Sequence, residues 1–476
     1  MKKKLMSLSI FLVLPFMLFG CGKKKTTRKE TTKVITTQEH VHEYGAWKTI
    51  VSPTCSEEGY KKRTCACGAE EFEIIEKMPH TYIDDKCSIC GHEQLTDGFN
   101  VYYSDLDEMY HIDDYNGSST TIRIPYYYDD GTHGDHKIII DKIAVDEVYV
   151  SKLKDANIKK LIVGEGYEYI PKNMFLGLEN LEELVIESDI RSIEDNAFYG
   201  CKKLSKVTLS ENLGKIGFYA FASCNFKEIR LPYYLKTLDI GAFSDNIELS
   251  KVTFNNNIEV IGDNSLNNTS LTTIRIPQSV KYFGFQGRLD KLVEFDCRSA
   301  IYKFENDCLI DVEHNALVKA LNNAVIPDGI IYLEPYAFAY LDYSTADAFI
   351  VPESVKYIGF SAFQDTIFKS FTLNSKVEEI DESAFNGTII DGAEDLVFEI
   401  PESVKSIGPK AFSNFTCKEI IIPKGVTTLG YKVFEDSLIE KISIYKSTII
   451  SDDCDSYWDF GIDLDYTTIN IIEDDE

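Results

Sequence analysis

The chain is short of positive charge: 49 lysines and arginines stand against 77 aspartates and glutamates, a net charge of −28. A protein that neutralises phosphates needs clustered cations, so nucleic acid is excluded as a partner. The acidity itself names no ligand; it reads as a solvated, self-repelling surface that keeps a long protein in solution. Spanning apolar runs are missing too, because the stretch from Leu5 to Phe19 is too short for a transmembrane helix. No G-x-S-x-G, H-E-x-x-H or phosphate-loop motif occurs, and His314 has no nucleophile at a meaningful offset. Asp452-Asp453 and the acidic run ending at Glu476 lack the glycine and alternating ligands of a calcium loop. No enzyme is expected. Helical periodicity of 3.6 residues also fails across the chain, which removes solenoids built from helix pairs.

What is present is one phrase, rewritten at a fixed interval. Ile193-x-x-x-Ala197-Phe198, Ile216-x-x-x-Ala220-Phe221, Ile358-x-x-x-Ala362-Phe363, Ile380-x-x-x-Ala384-Phe385 and Ile407-x-x-x-Ala411-Phe412 are its clearest copies. Looser copies end at Phe175, Phe243, Phe338 and Phe434, and Leu266 fills the same slot, mostly at steps of 22 or 23 residues. Ahead of each lies an alternating apolar tract, such as Leu181-x-x-Leu184-x-Ile186 or Leu271-x-x-Ile274-x-Ile276. Alternation predicts a short strand with one buried face. Proline closes many of these strands (Pro232, Pro277, Pro352, Pro401, Pro423), because it cannot donate to a ladder. Gly217, Gly262, Gly359 and Gly408 are expected to supply a backbone conformation that a side chain resists. The A-F segment reads as a short helical turn whose Phe plugs its coil. A unit of this length cannot bury its own apolar face, so the copies must stack as a solenoid. Between Leu266 and Phe338 the register lapses for 72 residues, where Tyr302 to Ile310 and Ala316 to Lys319 read as a hairpin.

This grammar of strand, Pro turn and I-G-x-x-A-F resembles the BspA-like class of bacterial leucine-rich repeats over roughly residues 120 to 445. The resemblance implies an α/β repeat: a right-handed solenoid with a parallel sheet on one face and short helical or irregular turns on the other. The commoner leucine-rich pattern carries an Asn or Cys ladder after the strand; here that position is Pro or variable.

The N-terminal quarter has a different texture. Residues 1–21 combine Lys2-Lys3-Lys4 with an apolar stretch ending Leu18-Phe19-Gly20-Cys21, which resembles a bacterial lipobox. That resemblance implies a lipid on Cys21 and a protein facing outside the cytoplasmic membrane, although Phe19 departs from the small residue usual there. Residues 22–38 are polar and basic and read as a disordered tether. Residues 39–95 hold Cys55, Cys65, Cys67, Cys87 and Cys90, with His42, His80 and His92 nearby. Two knuckles, Cys65-Ala-Cys67-Gly68 and Cys87-Ser-Ile-Cys90-Gly91, predict one structural zinc in a ribbon-like four-cysteine site, with His80 as an alternative ligand. Disulfides and free thiols stay open as readings, since thiols outside the membrane can pair. Residues 97–157 are expected to cap the stack, 158–444 to form the solenoid, and 445–476 to close it with Tyr457 and Trp458. Cys201 and Cys224, three residues after their Phe, should stack in adjacent coils as small buried side chains.

Recognition falls to the outward strand positions Val185, Thr208, Arg230, Thr253, Arg275, Thr372 and Ile421. Tyr233 and Tyr234 beside Arg230 form the most recognition-like local cluster. Through the family resemblance, the expected role is adhesion to an extracellular protein or glycoprotein. A structural envelope component binding a partner lipoprotein, and an accessory binding subunit of an extracytoplasmic enzyme, are the other two readings.

Overall fold

In the computed structural model, residues 41–83, 86–130, 132–145, 148–284, 287–289, 291–346, 348–445, 448, 460–462 and 466–473 are described. They fall into two compact units, one ending at Met78 and one beginning at Pro79, so the boundary lies inside the cysteine-rich stretch.

The second unit carries the solenoid, about 13 turns with almost no helix. Each repeat runs the same circuit. Its first strand joins a parallel ladder, as when Lys160–Val163, Glu183–Ile186 and Lys206–Thr208 pair in strict register. Alternation does what the sequence predicts: Leu161 and Leu184 are fully buried and their strand neighbours turn outward. After the turn, a two-residue strand joins a second parallel ladder, which runs from Tyr169–Ile170 through Ser192–Ile193 and Lys215–Ile216 to Tyr282–Phe283. A matching ladder in the second half links Tyr332–Leu333, Tyr357–Ile358, Glu379–Ile380, Ser406–Ile407 and Thr428–Leu429.

The phenylalanines then enter the core and stack on one another. Ring centroids are 5.3 Å apart from Phe175 to Phe198, 5.2 Å to Phe221 and 5.5 Å to Phe243. In the second half, Phe338, Phe363, Phe385 and Phe412 repeat this at 5.1, 5.1 and 5.2 Å. Offset stacking of buried rings adds to their burial, and each plug fills space its own coil cannot close.

The A-F turn is not helical, contrary to expectation. Among the described residues, the single helix is the 3-10 turn Ala393–Asp395. The residue two before each plug is left-handed instead: Asn196 (φ 54°), Tyr219 (φ 50°), Ser361 (φ 51°) and Lys410 (φ 54°) are examples. The residue two after it repeats the conformation, as at Gly200 (φ 72°), Ser223 (φ 55°) and Asp365 (φ 50°). This alternation points the N–H groups of every second residue along the stack. Asn196, Phe198 and Gly200 donate to the carbonyls of Phe218, Ala220 and Ala222 in the next coil, at 2.8, 2.9 and 2.9 Å. Left-handed backbone costs non-glycine residues about 1 kcal/mol or more, and these three bonds hold it in place.

The glycines of I-G therefore need another explanation. Gly217, Gly262, Gly359 and Gly408 are absent from the left-handed set. A Cβ on Gly408 would lie 2.4 Å from the Glu382 nitrogen, and one on Gly359 2.7 Å from the Leu333 oxygen. Glycine is required there because the preceding coil's backbone passes too close for a side chain.

The slot three after the plug is a second device. Cys201 and Cys224 donate their thiols to the Phe175 and Phe198 carbonyls, both at 3.4 Å. Asn246 donates to Phe221 O at 2.8 Å, Thr366 to Phe338 O at 2.9 Å and Thr388 to Phe363 O at 2.7 Å. The two cysteines are thus buried hydrogen-bond donors, interchangeable in role with Thr and Asn. Burial pushes the Cys201 thiol up to about 12, which keeps it protonated.

The lapse in register is an antiparallel meander, Tyr302–Glu305, Cys308–Asp311 and Ala316–Ala320, whose last strand turns parallel onto Tyr332–Leu333. The hydrophobic core divides here into two clusters. The buried Lys319 sits at this seam and donates its ammonium to Tyr336 O at 2.9 Å and Ala339 O at 3.4 Å. Ala339 occupies the place that Ala222 holds in a regular coil, so a side-chain cation stands where the preceding coil's backbone donor would be.

At the far end, Phe460 packs on the core; Tyr457 and Trp458, expected to close it, lie outside the described residues. Phe460 is fully buried, its ring is 6.3 Å from Phe434, and its carbonyl accepts from Phe434 N–H at 2.9 Å. In hydrogen-bond register it stands where Ala220 and Val433 stand, and its ring meets Phe434 edge to face.

The first unit is a three-stranded antiparallel sheet of Lys48–Val51, Gly59–Thr64 and Glu70–Ile75. Arg63 and Lys61 lie over the Trp47 ring, at 4.6 and 5.2 Å. Its buried hydrophobic side chains, among the described residues, are Cys55 and Cys65.

Candidate functional site

Two rows of side chains run along the outward face of the first-strand ladder. In one row the register sets Lys160, Glu183 and Lys206 side by side, then Glu228 beside Lys251. Signs alternate, and Lys160 pairs with Glu183 at 2.8 Å and Lys251 with Glu228 at 3.9 Å. Such a row neutralises itself and holds neighbouring strands together.

The second row, two residues further along each strand, contains every outward position expected from the sequence. Ile162, Val185 and Thr208 align; Arg230 lies opposite Thr253, Arg275 opposite Asp296, and Ile350 opposite Thr372. Glu399, Ile421, Ser443 and Asn470 continue the row in the last coils. Its chemistry changes from coil to coil, while the residues beneath it stay apolar. Thr208, Arg230, Thr253, Arg275 and Thr372 are exposed, and Val185 and Ile421 half-buried. The Arg275 guanidinium reaches Asp296 at 3.8 Å.

Tyr233 and Tyr234 follow Arg230 around the Pro232 turn, each 56% exposed, so neither is buried against the next coil. Their rings meet edge to face at 5.0 Å. Their backbones are held to the preceding coil: Tyr233 N–H donates to the Glu211 carboxylate at 2.9 Å and Tyr234 N–H to Glu211 O at 3.3 Å. Rigid, amphipathic rings on a fixed backbone suit recognition, since little entropy is lost when they are covered.

Sequence reasoning missed a cavity of about 390 Å³ beside the first coils, lined by Tyr126, Ile138, Ile140, Tyr167, Tyr169 and Met174 among others. The signal was Tyr126-Tyr127-Tyr128, which looked like irregular capping chain and instead leads into a sheet of four strands including His136–Ile140.

The expected metal ligands are distributed over both units. Cys65 and Cys67 belong to the first, where His42 Nδ1 lies 3.1 Å from Cys67 Sγ. His80, Cys87 and Cys90 belong to the second, where His80 Nδ1 lies 3.3 Å from Cys90 Sγ. Cys21 lies outside the described residues. Among the described residues, no helix is long and apolar enough to cross a membrane.

A model of the BspA type leucine-rich repeat region matches in six copies, over residues 168–286, 311–392 and 395–457, more than half of the chain. A leucine-rich cell surface protein from Faecalibacterium prausnitzii A2-165, of solved structure, aligns with a TM-score of 0.52 at 21% identity, covering 84% of this chain and 96% of that one. The pneumococcal vaccine antigen PcpA aligns at 0.49 and 17% identity, covering 79% and 93%. A leucine-rich repeat protein from Bacteroides ovatus ATCC 8483 gives 0.43 and 17%, covering 80% and 99%. At these identities the first likeness shows a shared fold, and the other two add no argument. No curated protein matches the chain.

Proposed function

The chain belongs to the BspA-type leucine-rich repeat family, and from that premise we propose that it is a bacterial cell-surface protein whose strand face binds other proteins. The observation that carries this reading is the second outward row: side chains of changing chemistry, held in register on a rigid parallel sheet. A solenoid of this kind offers an extended surface, and its variable positions can be altered without disturbing the apolar positions below. Fold alone does not name the ligand. The partner class we assign is an extracellular protein or glycoprotein, so that the activity is adhesion, with Arg230, Tyr233, Tyr234 and Arg275 as its first contact group. A lipid on Cys21 would hold the protein at the outer side of the membrane. Family membership and the absence of any nucleophile–base pairing in the motifs support a binding role over catalysis.

The test is binding of the purified chain to immobilised matrix glycoproteins and to whole cells, compared with a Tyr233→Ala, Tyr234→Ala double variant. An anchor pair of this type should contribute about 2 kcal/mol or more, a loss of at least thirty-fold in affinity. Unchanged binding would remove these residues from the site. Co-purification of an envelope lipoprotein, with no binding to glycoproteins or cells, would replace adhesion by the structural role.

A further inference from the structure

The cysteine-rich stretch repeats itself, and the repeat is chemical. In the first unit, His42-Glu-Tyr44 precedes Cys65-Ala-Cys67-Gly68; in the second, His80-Thr-Tyr82 precedes Cys87-Ser-Ile-Cys90-Gly91. The geometry repeats with the residues. The His42 and Tyr44 rings are 5.7 Å apart at 35°, and the His80 and Tyr82 rings 5.8 Å apart at 32°. In each unit the first cysteine of the pair is buried and the second exposed. In each, Nδ1 of the histidine meets the sulfur of the second cysteine, at 3.1 and 3.3 Å.

The turns that present the sulfurs also correspond. Gly68 N–H donates to Cys65 O and Gly91 N–H to Cys87 O, both at 2.8 Å. Both glycines are left-handed (φ 89° and 77°), and a Cβ on either would touch nothing within 4 Å. Backbone conformation therefore explains these two glycines, and the conformation folds each cysteine pair back toward one point. The donor atoms of His42, Cys65 and Cys67 lie within 4.8 Å of one another, as do those of His80, Cys87 and Cys90. Tetrahedral zinc bound at about 2.1 Å by imidazole and 2.3 Å by thiolate sets its donors about 3.6 to 3.8 Å apart, so small side-chain adjustments bring each trio into range.

We propose that the chain binds two thiophilic metal ions of the zinc class, one on His42, Cys65 and Cys67 and one on His80, Cys87 and Cys90, in place of a single four-cysteine ion. Each trio supplies two thiolates and one imidazole. A fourth donor completes each tetrahedron. A disulfide within either cysteine pair would use up both sulfurs.

Each ion has a distinct mechanical role. The first unit buries two hydrophobic side chains among its described residues, both cysteines, so it lacks the apolar core a free-standing sheet requires. The second trio sits on a hairpin fastened to the solenoid's first coils. Glu93, just beyond it, pairs with Arg123 at 3.1 Å and accepts from Glu165 N–H at 2.8 Å, and Lys86 pairs with Glu165 at 2.8 Å. Arg123 in turn grips Glu187 at 2.6 Å, so an ion there locks the open end of the stack.

The experiment is metal analysis of the full chain, purified under reducing conditions with Zn²⁺, for the natural protein, Cys67→Ser, Cys90→Ser and the double variant. The expected contents are two equivalents, one, one and none. Cobalt(II) substitution supplies an independent readout: tetrahedral d–d bands with sulfur charge-transfer intensity for two thiolates per ion, halved in each single variant. One equivalent in the natural protein, abolished by either substitution, would restore the single shared ion and overturn the proposal. No bound metal, with the cysteine pairs recovered as disulfides from protein purified without reductant, would overturn it as well. Single substitution of the remaining cysteines and histidines between residues 39 and 95 then identifies each fourth donor.

Discussion

In the solenoid, nine plugs from Phe175 to Phe434 are fully buried and bear on one another through ring after ring. In the first unit the buried hydrophobic side chains, among the described residues, are two cysteines, while Phe72 and Ile74 are 59% and 65% exposed. The two regions thus meet the cost of ordering a chain by different means. One multiplies a modest apolar unit until neighbours cover each other; the other has little surface to bury and would need the metal ions proposed above to hold it. Stability in the solenoid should be a sum of coil and interface terms, and stability in the first unit should depend on redox state and metal supply.

The most disruptive way to break this contrast is at a plug. Phe363→Ala removes a ring stacked on both Phe338 and Phe385 and should cost about 3 to 5 kcal/mol. Calorimetry should show the solenoid transition falling while the metal content of the chain stays unchanged; a joint loss of both would mean the regions are not independent. Next in size is Lys319→Met. The variant leaves the Tyr336 and Ala339 carbonyls without their donor, a loss of about 1 to 3 kcal/mol. Near neutral pH it also relieves the cost of burying the amine, which offsets that loss. The pH dependence has a definite sign. Burial lowers the Lys319 amine to about 7 from its ordinary 10.5, so the unfolded chain holds the extra proton between these values. Stability of the natural protein relative to Lys319→Met should therefore rise with pH from about 7 to 10.5, by at most about 1.4 kcal/mol per pH unit. A flat difference across that window in chemical denaturation would show that the carbonyls keep the ammonium charged. Smallest is Thr388→Val, which deletes one buried donor to Phe363 O at a cost of about 1 kcal/mol. Thr388→Cys should recover part of it, as Cys201 does in its own coil, and the pair of melting temperatures measures the equivalence of the two side chains.

How far the sequence could be read depended on the size of the side chain carrying each signal. The plugs were legible because a phenylalanine every 22 or 23 residues has no other use, and Leu161, Leu184 and their kin marked the strand faces by alternation. The outward row followed from the same alternation, so Arg230, Thr253 and Arg275 fell where expected. Phe460 was overlooked because no I-x-x-x-A precedes it. The left-handed positions were illegible for a different reason. Asn196 could have announced one, but Tyr219 and Lys410 stand at the same place, and there the hydrogen bonds between coils override residue preference. The glycines misled because a close approach and a positive φ leave the same mark in a sequence. In the cysteine-rich stretch the five cysteines were visible, but the meeting of His42 with Cys67 joins residues 25 apart and has no local trace.

Each coil donates forward and accepts from behind at the same three positions, and this makes the stack indifferent to how many coils it contains. Excising or duplicating one whole unit joins two surfaces whose donors and acceptors already match. Removing a fraction of a unit joins a row of N–H groups to a row set at the wrong height. Genetic changes in length should therefore survive in whole-unit steps, each changing the reach of the stack by about 4.8 Å, the spacing of neighbouring strands. At Lys319 that rule is bent: the Ala320 N–H keeps its place on Ala337 O, and the lysine side chain supplies the donor to Ala339 O that the backbone gives in a regular coil.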